Sequence, residues 1–550
     1  MDNSDNPQNQ NVVPQNPPEN GVGQPVAQQT QQQPVQPTVQ QPTVQQSAVQ
    51  QQTSVQQSVT PVQSQTVQQN TIQQQVAPNQ SISPEETTPQ APLSKLPKMP
   101  AMPKIPIKKL LLVVGGVIIL LIGLAVVISL GRGVGNVVNE NRDIEITWWG
   151  LWENGSAVEP IIAQYQQQHP NITITYVKQS PENYRERLAN SLARGDGPDI
   201  FRIHNTWVPM FFNDLAPLPG DVMTQEEYQN TFFRVALESA LTNEGIMAMP
   251  LEYDALGLFV NEELFTTFAQ AKPNTWNEVR DVAKELTITD PATGNISQAG
   301  IAMGVTSNVD YWQDIIGLLM IQNRANLTEP SDEGSIGALK FFNQFYRSDF
   351  VWDGAQADSV TAFTTGRLAM MIAPASVANQ IKKQNPGLNF RVVKVPQLQR
   401  FSPTDPELTY ATFWMEGVSD KSNAKQQSWE FLKYLTQAEN LEKLYQNSVN
   451  GRDLDPAMYP RQDMVEKLST DRYFGETIKL AEDARFWYLA DKTNDGETGL
   501  NTQLSNLFET VLNDTGLSGR FTIDLTQFGL NVRTLLAQYG LATPPPPPEE

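Results

Sequence analysis

A stretch of 21 uncharged residues, Leu110–Leu130, divides this chain of 550 residues into two unlike parts. Its sequence is LLLVVGGVIILLIGLAVVISL. At about 1.5 Å of rise per residue, a helix of that length spans roughly 31 Å, the thickness of the hydrocarbon core of a bilayer. A cleaved secretion signal fits poorly, because more than a hundred residues precede the stretch. We therefore predict a single transmembrane helix at residues 110–131.

Charged residues on the two sides of this stretch predict its orientation. Five lysines lie between Lys95 and Lys109, whereas Arg132 and Arg142 on the other side are offset by nearby acids. Because cytoplasmic flanks carry the excess of Lys and Arg, residues 1–109 are expected in the cytoplasm and residues 132–550 outside the cell membrane.

The predicted cytoplasmic part, residues 1–109, has the composition of a disordered tail. Its first 90 residues include 28 glutamines and no aromatic residue. Such a segment cannot bury enough apolar surface to offset the entropy of an ordered chain. The tail is a spacer or an interaction segment. A proline-rich end, residues 542–550, is likewise expected to be disordered.

The charge and the lack of cysteine exclude several functions for the remainder of the chain. The net charge is −21, and residues 1–131 hold five acids and five lysines, so the acid excess lies beyond residue 131. An acidic body is a poor partner for nucleic acid, whose phosphates need clustered Lys and Arg. No cysteine and only two histidines are present, so thiolate chemistry and most zinc sites are excluded.

Motifs for catalysis and cofactors are lacking too. The sequence contains no phosphate-binding loop, no GxSxG motif and no GxGxxG motif after a strand. Residues 491–496 resemble the first half of a calcium loop, but Thr502 stands where a glutamate is required. We predict no cofactor, no metal and no enzymatic activity. A glycoside hydrolase is a minor alternative that needs two carboxyl groups at a suitable separation.

Residues 143–541 alternate between strand-like and helix-like segments, which predicts an α/β fold with an open parallel sheet. Because about 400 residues exceed one comfortable hydrophobic core, two lobes are expected. A further apolar stripe at helical spacing comprises Trp429, Leu432, Leu435, Leu441 and Leu444. The predicted elements at the amino end are a strand at 144–149, a helix opened by a Ser156/Glu159 capping box and ending near His169, a strand at 171–177, a helix from about 180 to 195, and a strand at 198–203.

Aromatic residues recur beside short polar side chains in this region, several of them where a predicted strand ends. In open α/β sheets ligands bind beyond the carboxyl ends of the strands. A flat aromatic ring can pack against the C–H face of a sugar, while carboxylates and amides accept its hydroxyls. The predicted ligand-binding residues are Trp149, Trp152, Glu153, Asn205, Trp207, Glu252, Tyr253, Asp254, Tyr311, Trp312 and Trp414.

Four segments resemble the sugar-binding, maltose-binding-protein-like group of extracellular solute-binding proteins of ABC importers. They are RGDGPDIFRIHNTW (194–207), MPLEYDALGLFVNEELF (249–265), PNTWNEVRDVAKELT (273–287) and AFTTGRLAMMIAPAS (362–376). The resemblance implies a two-lobed periplasmic-binding-protein-like fold with crossover strands near 254–257, 409–415 and 450–455. Lobe one would comprise about 143–254 and 412–452, and lobe two about 255–411 and 453–541.

The same resemblance implies roles for individual residues. Glu153, Asn205 and Asp254 match sugar contacts of the family, and Tyr311 or Trp312 matches an aromatic contact in the second lobe. Three departures stand out: Pro374-Ala375 where the family often has tryptophan, the bulky TFWMEG at 412–417, and a transmembrane helix in place of a lipidated cysteine. Trp414 is a candidate replacement for the missing ring.

These observations predict a membrane-anchored extracellular receptor that captures a neutral carbohydrate by hinge closure and delivers it to an ABC permease. A polyamine or other cationic solute is an alternative, because acids and aromatic rings also attract cations. A surface sensor or adhesin with a degenerate cleft is a further alternative.

Overall fold

The computed structural model describes residues 143–399, 402, 405–450, 457–514, 521, 522 and 524–546. The predicted tail at 1–109 and the predicted transmembrane helix at 110–131 therefore lie outside the described residues. In the described ranges, no helix combines the length and the apolar character that crossing a membrane requires.

Strands and helices alternate along most of the described chain. The strands are β1 Ile144–Gly150, β2 Ile172–Lys178, β3 Ile200–His204, β4 Leu241–Thr242, β5 Gly245–Ile246, β6 Ala248–Pro250, β7 Leu256–Asn261, β8 Ile288–Thr289, β9 Ile296–Ile301, β10 Leu368–Pro374, β11 Phe390–Val393 and β12 Trp414–Val418. The α-helices are α1 Gly155–Gln168, α2 Tyr184–Arg194, α3 Gln225–Thr231, α4 Arg234–Ala240, α5 Glu262–Thr267, α6 Trp276–Leu286, α7 Trp312–Gln322, α8 Glu333–Arg347, α9 Ser359–Thr364, α10 Val377–Gln384, α11 Lys425–Leu435, α12 Ala438–Asn450, α13 Gly475–Ile478, α14 Leu500–Asn513 and α15 Leu525–Gln538.

Lobe one is built on a five-stranded sheet in the order β2-β1-β3-β12-β6. The predicted β1–α1–β2–α2–β3 order is present, with β1 parallel to both β2 and β3. The predicted parallel sheet is therefore correct for these three strands and wrong for the rest, because β12 enters from a distant part of the chain and runs antiparallel to β3 and β6. The predicted capping box at Ser156 is also absent: α1 begins at Gly155, after Asn154.

Lobe two is built on a second five-stranded sheet, in the order β11-β7-β10-β9-β8. Every residue of β7 and β10 is buried, which is typical of central strands covered on both faces. Helix α6 packs near this sheet and begins with a complete capping box, in which Thr275 and Glu278 satisfy each other's backbone N–H groups.

The predicted apolar stripe from Trp429 to Leu444 is buried, but it belongs to two helices instead of one. Helix α11 ends at Leu435, and Thr436 follows as its C-cap. The hydroxyl of Thr436 donates to the carbonyl of Leu432, 3.0 Å away, within the last turn. Helix α12 then carries the second half of the stripe against α1 of lobe one.

Two separate hydrophobic cores define the lobes. The buried residues of lobe one come from 146–255 and 411–484 together with Ala375. Those of lobe two come from 256–410 and 487–536. Within the expected second segment of lobe two, 453–541, the described residues 457–484 contribute side chains such as Met458 and Ala484 to the core of lobe one, so that part of the expected assignment is wrong.

Three crossover segments join the lobes, at 254–256, 410–412 and 484–487, and they run side by side. The N–H of Leu256 donates to the carbonyl of Tyr410 at 2.9 Å, and the N–H of Ala411 donates to the carbonyl of Arg485 at 2.8 Å. The first two crossovers lie where the resemblance places them. The third lies about thirty residues later than expected.

Candidate ligand site between the lobes

A cavity of about 260 Å³ opens beside the crossovers. Its lining combines aromatic, carboxylate and apolar side chains from both lobes. The lining residues are Trp152, Glu153, His204, Leu251, Glu252, Asp254, Tyr311, Pro374, Ser376, Thr412, Phe413, Trp414, Leu441, Leu444, Tyr445, Ser448, Ala457, Met458, Tyr459, Asp491 and Lys492.

Two tryptophans form the aromatic part of the lobe-one wall. Trp152 follows β1, Trp414 begins β12, and both are partly exposed. Their ring centroids lie 5.4 Å apart in an edge-to-face arrangement. Trp414 also contacts the buried ring of Trp207, at 5.4 Å, and the ring of His204, at 5.1 Å. The position of the exposed rings is therefore fixed from beneath by the core.

A buried guanidinium lies under this wall. Arg202 on β3 stands directly across from Glu416 on β12, and its side chain is fully buried. The Nε of Arg202 donates to Glu416 Oε1 at 2.6 Å, and its Nη2 donates to Glu153 Oε1 at 3.0 Å. Glu153 lines the cavity, and Arg202 fixes one of its carboxylate oxygens, while the other is buried without a hydrogen-bond partner among the described residues.

Burial changes the ionisation of several groups around the cavity. It raises the pKa of Glu252 to about 8, although the charge of Arg202 opposes the shift. It raises the pKa of Glu416 and of Asp254 to about 7 each. Burial lowers the pKa of His204 to about 3, so this imidazole is neutral at physiological pH.

Two hydrogen bonds fix the neutral His204 ring. Its Nδ1 lies 2.8 Å from Thr206 Oγ1, and its Nε2 lies 3.0 Å from Thr412 Oγ1. Asp254 is held in a similar way, because its carboxylate accepts from the backbone N–H of Ala255 at 2.9 Å and of Ser376 at 3.3 Å. Both groups are therefore fixed before any ligand enters.

Lobe two contributes fewer polar groups, and they sit on unusual backbone. Tyr311 and Lys492 have left-handed φ angles of 62° and 52°, which non-glycine residues seldom adopt. The ammonium of Lys492 lies 4.3 Å from the centroid of the Tyr311 ring and donates to Asp310 at 2.6 Å. Asp491 accepts from the backbone N–H of Tyr311 at 3.2 Å.

The structure brings together six of the predicted ligand-binding residues and places the other five elsewhere. Trp149 is half-buried against the lobe-one core, and Trp207 and Tyr253 lie inside that core. Trp312 is buried in the lobe-two core, and Asn205 is buried where its Oδ1 accepts from the N–H of Phe413. The six that line the cavity are Trp152, Glu153, Glu252, Asp254, Tyr311 and Trp414.

Sequence reasoning missed several lining residues. Leu441, Leu444 and Tyr445 belong to α12, where apolar spacing predicted only core packing. Arg202 carried no local signal, because its role depends on strand pairing with a residue 214 positions away. Lys492 lies in the segment that resembles a calcium loop.

That segment is a helix start in the structure. The carboxylate of Asp495 accepts from the N–H groups of Asn501 and Thr502, at 2.7 and 3.2 Å, at the beginning of α14. Among the residues that the structure describes, no group of three His, Asp or Glu side chains is arranged to hold a metal ion.

With the cleft and its lining defined, comparison with known proteins identifies the family. Residues 149–442 match the bacterial extracellular solute-binding protein family. Because the match covers more than half of the chain, the chain belongs to this family.

Individual relatives are distant in sequence. A binding protein of Brucella abortus (strain 2308) is 22% identical over 302 residues, which are 54% of this chain and 72% of that protein. The ABC transporter solute-binding protein of Thermotoga lettingae, solved with α-D-tagatose, superposes with a TM-score of 0.54 at 18% identity, over 72% of this chain and 100% of that one. The sugar-binding protein MalE of Xanthomonas citri superposes with a TM-score of 0.57 at 17% identity, over 72% and 98%. At these identities the superpositions show the shared two-lobed fold.

Proposed function

We propose that this protein is a membrane-anchored extracellular receptor that captures a neutral carbohydrate between its lobes and delivers it to an ABC permease. The observation that carries the proposal is the cavity beside the crossovers, in which exposed tryptophans and fixed hydrogen-bonding groups face the same space. Carbohydrate recognition requires this combination, because a sugar presents an apolar face and a ring of hydroxyls.

Each type of group has a defined task in this proposal. Trp152 and Trp414 supply flat surfaces for the C–H face of a sugar ring. Glu153 and Asp254 accept hydroxyl hydrogens, since Arg202 and backbone N–H groups hold their carboxylates in place. The Thermotoga lettingae and Xanthomonas citri relatives, described as bound to α-D-tagatose and as sugar-binding, support a saccharide as the ligand class.

Capture works through closure of the cleft. The lobes are joined by three crossovers that lie side by side, so a small change in their backbone angles rotates one lobe toward the other. A ligand drives closure only to the extent that it binds the closed form more tightly. Tyr311 and Lys492 face Trp152 and Glu153 across the cavity, and closure lets the ligand contact both sets at once.

Anchoring and delivery are the remaining parts of the proposal. The apolar stretch at 110–131 would hold the receptor at the cell membrane, with residues 1–109 in the cytoplasm. Anchoring keeps a loaded receptor close to a permease in the same membrane and raises its effective concentration there.

A cationic solute is a second candidate that the lining itself favours. Among the described residues of the lining, four carboxylates accompany one lysine: Glu153, Glu252, Asp254 and Asp491 against Lys492. A diamine or polyamine would use these acids together with the tryptophan faces.

A binding screen on the full-length protein in detergent distinguishes the candidates. Maltotetraose, mannobiose and α-D-tagatose serve as neutral probes, and spermidine serves as the cationic probe. A probe that binds the folded state alone at a hundred times its dissociation constant stabilises it by about 2.7 kcal/mol, a readable thermal shift. We expect a shift with at least one saccharide. A shift with spermidine alone would contradict the carbohydrate proposal.

A further inference from the structure

Glu252 is the one acid of the lobe-one wall that nothing in the described part of the protein engages. It follows β6, lines the cavity and is half-buried. Glu153 accepts a hydrogen bond from Arg202, and Asp254 accepts hydrogen bonds from backbone N–H groups. Among the described residues, neither a hydrogen bond nor a salt bridge reaches the carboxyl group of Glu252.

The charges around Glu252 disfavour a negative charge on its carboxyl group. The charge of Arg202 acts on Glu252, but its guanidinium bonds two other carboxylates, Glu416 through Nε at 2.6 Å and Glu153 through Nη2 at 3.0 Å. Glu153, Asp254 and Glu416 repel an ionised Glu252. On the opposite wall, Lys492 is bonded to Asp310 and lies 3.9 Å from Asp491. On the lobe-one side, His204 is neutral and supplies no positive charge.

A carboxyl group in this position avoids the cost of an uncompensated charge by keeping its proton. A neutral carboxylic acid has one O–H donor, whereas a carboxylate can only accept. The wall then contains acceptors at Glu153 and Asp254 and one side-chain acid that donates.

We propose that Glu252 is a specificity-determining residue that meets the ligand as a neutral acid and donates its proton to a ligand oxygen. This inference rests on the proposed function and narrows its ligand class. An oxygen with a free lone pair, such as a hydroxyl or a ring oxygen of a sugar, accepts this hydrogen bond. A protonated amine has no lone pair and receives nothing from Glu252.

The pKa of Glu252, raised by burial to about 8, supports the same assignment. At pH 7 most molecules carry the proton, and at pH 9 few do. If the protonated form alone binds the sugar, affinity falls about tenfold between pH 7 and pH 9. The sign is opposite for an amine, which binds the ionised carboxylate and gains affinity as the pH rises toward 8.

The test measures the dissociation constant of the full-length protein in detergent for maltotetraose, mannobiose and spermidine at pH 6.5, 7, 8 and 9. Wild type is expected to lose about tenfold in saccharide affinity from pH 7 to pH 9. Glu252→Gln retains an N–H donor that does not titrate, so it is expected to bind within a few-fold of wild type at pH 7 and to lose the fall in affinity from pH 7 to pH 9. The ionisation of Asp254, whose pKa is about 7, remains in both proteins. Glu226→Gln, an exposed acid on α3, is the matched control and keeps the wild-type profile.

The outcomes distinguish a failure of the role of Glu252 from a failure of the proposed carbohydrate-receptor function. Saccharide binding with a flat pH profile, or a profile that Glu252→Gln does not alter, overturns the role of Glu252 and leaves the receptor function standing. Spermidine affinity that rises with pH and disappears in Glu252→Gln overturns both. If no saccharide binds, the carbohydrate proposal fails, and a ¹³C titration of the carboxyl groups without ligand still decides the protonation: a midpoint near 4.5 that Glu252→Gln removes refutes the neutral acid.

Discussion

The lobe-one wall of the cavity is fixed by a fully buried cation, whereas the cation of the lobe-two wall is half-exposed. Arg202 is fully buried and joins Glu153 to Glu416 across two paired strands. Lys492 has half of its side chain exposed and bonds Asp310 at the surface of lobe two. Groups fixed before binding lose little entropy when the ligand arrives, while mobile ones pay for ordering at that moment. In the function we propose, lobe one therefore recognises the ligand and lobe two closes over it.

The largest effect is expected from removing the cation beneath the lobe-one wall. Arg202→Met leaves Glu153 and Glu416 buried without their common partner, and this should lower the free energy of unfolding by about 3–5 kcal/mol. Urea unfolding of the full-length protein, followed by circular dichroism, measures the change. Arg194→Met removes an exposed pair with Asp196 and should leave stability almost unchanged.

If Arg202→Met were as stable as Arg194→Met, the buried cation would not be what fixes the lobe-one wall, and the contrast with the lobe-two wall would fail. The double variant Arg202→Met, Glu416→Met sharpens the point. The double variant removes both charges of the closest pair. We expect it to recover part of the stability, since replacing a whole buried ion pair by apolar residues costs less than removing one of its partners.

An intermediate effect is expected at the aromatic surface. Trp152→Ala removes a cavity ring that packs edge-to-face on Trp414, and saccharide affinity should fall about tenfold or more. Isothermal titration calorimetry with the saccharide found in the screen measures it. Trp149→Ala, three residues earlier but outside the cavity, is the control.

Equal losses of saccharide affinity in Trp152→Ala and Trp149→Ala would mean that the sugar does not stack in the cavity beside the crossovers. A loss in Trp152→Ala alone would instead locate the sugar against the lobe-one wall.

The smallest effect is expected at a hydrogen bond between the lobes. Thr206 Oγ1, at the end of β3, donates to Asn501 Oδ1 on α14 at 2.9 Å. Thr206→Val removes this bond, which contributes about 0.5–1.5 kcal/mol, and should weaken saccharide binding roughly two- to tenfold by disfavouring closure. Small-angle X-ray scattering with saturating saccharide should show a larger radius of gyration for the variant.

Thr231→Val is the matched control, because the hydroxyl of Thr231 bonds within α3 of lobe one. Thr206 also contacts His204, so a double-mutant cycle with Asn501→Ala isolates the bond between the lobes. Additive losses in the cycle would show that the bond does not contribute to closure.

The sequence was sufficient for those parts of the fold that local patterns determine. The β1–α1–β2–α2–β3 order follows from strand and helix periodicity, whereas the capping box that spacing predicted at Ser156/Glu159 is absent, because α1 begins one residue earlier. The antiparallel β12 and the late third crossover were not predictable in this way, because they depend on which distant segments pair. The family resemblance, not periodicity, placed the first two crossovers.

Some residues of the candidate site could likewise be predicted from local patterns, whereas others depend on contacts with distant parts of the chain. Trp152 and Trp414 could be proposed because aromatic rings follow or begin strands at the sheet edge. Trp207 and Tyr253 have the same local setting, yet both are buried inside lobe one, since the neighbouring chain covers them. The role of Arg202 could not be predicted, because an arginine in an apolar strand shows no local pattern and its partner Glu416 lies on a strand that pairs from far along the chain.

The discontinuous lobes also constrain the order in which this chain can fold. Arg202 and Glu416 are 214 residues apart in the chain, and β12 must insert between β3 and β6 before the lobe-one sheet is complete. Lobe two has the same dependence, because its core includes residues 487–536. The core of lobe one is complete only once residue 484 has been made, and that of lobe two only once residue 536 has been made. Such distant pairings fold slowly. Strand β3 is therefore made long before its partner β12, and the lobe-one sheet is completed late.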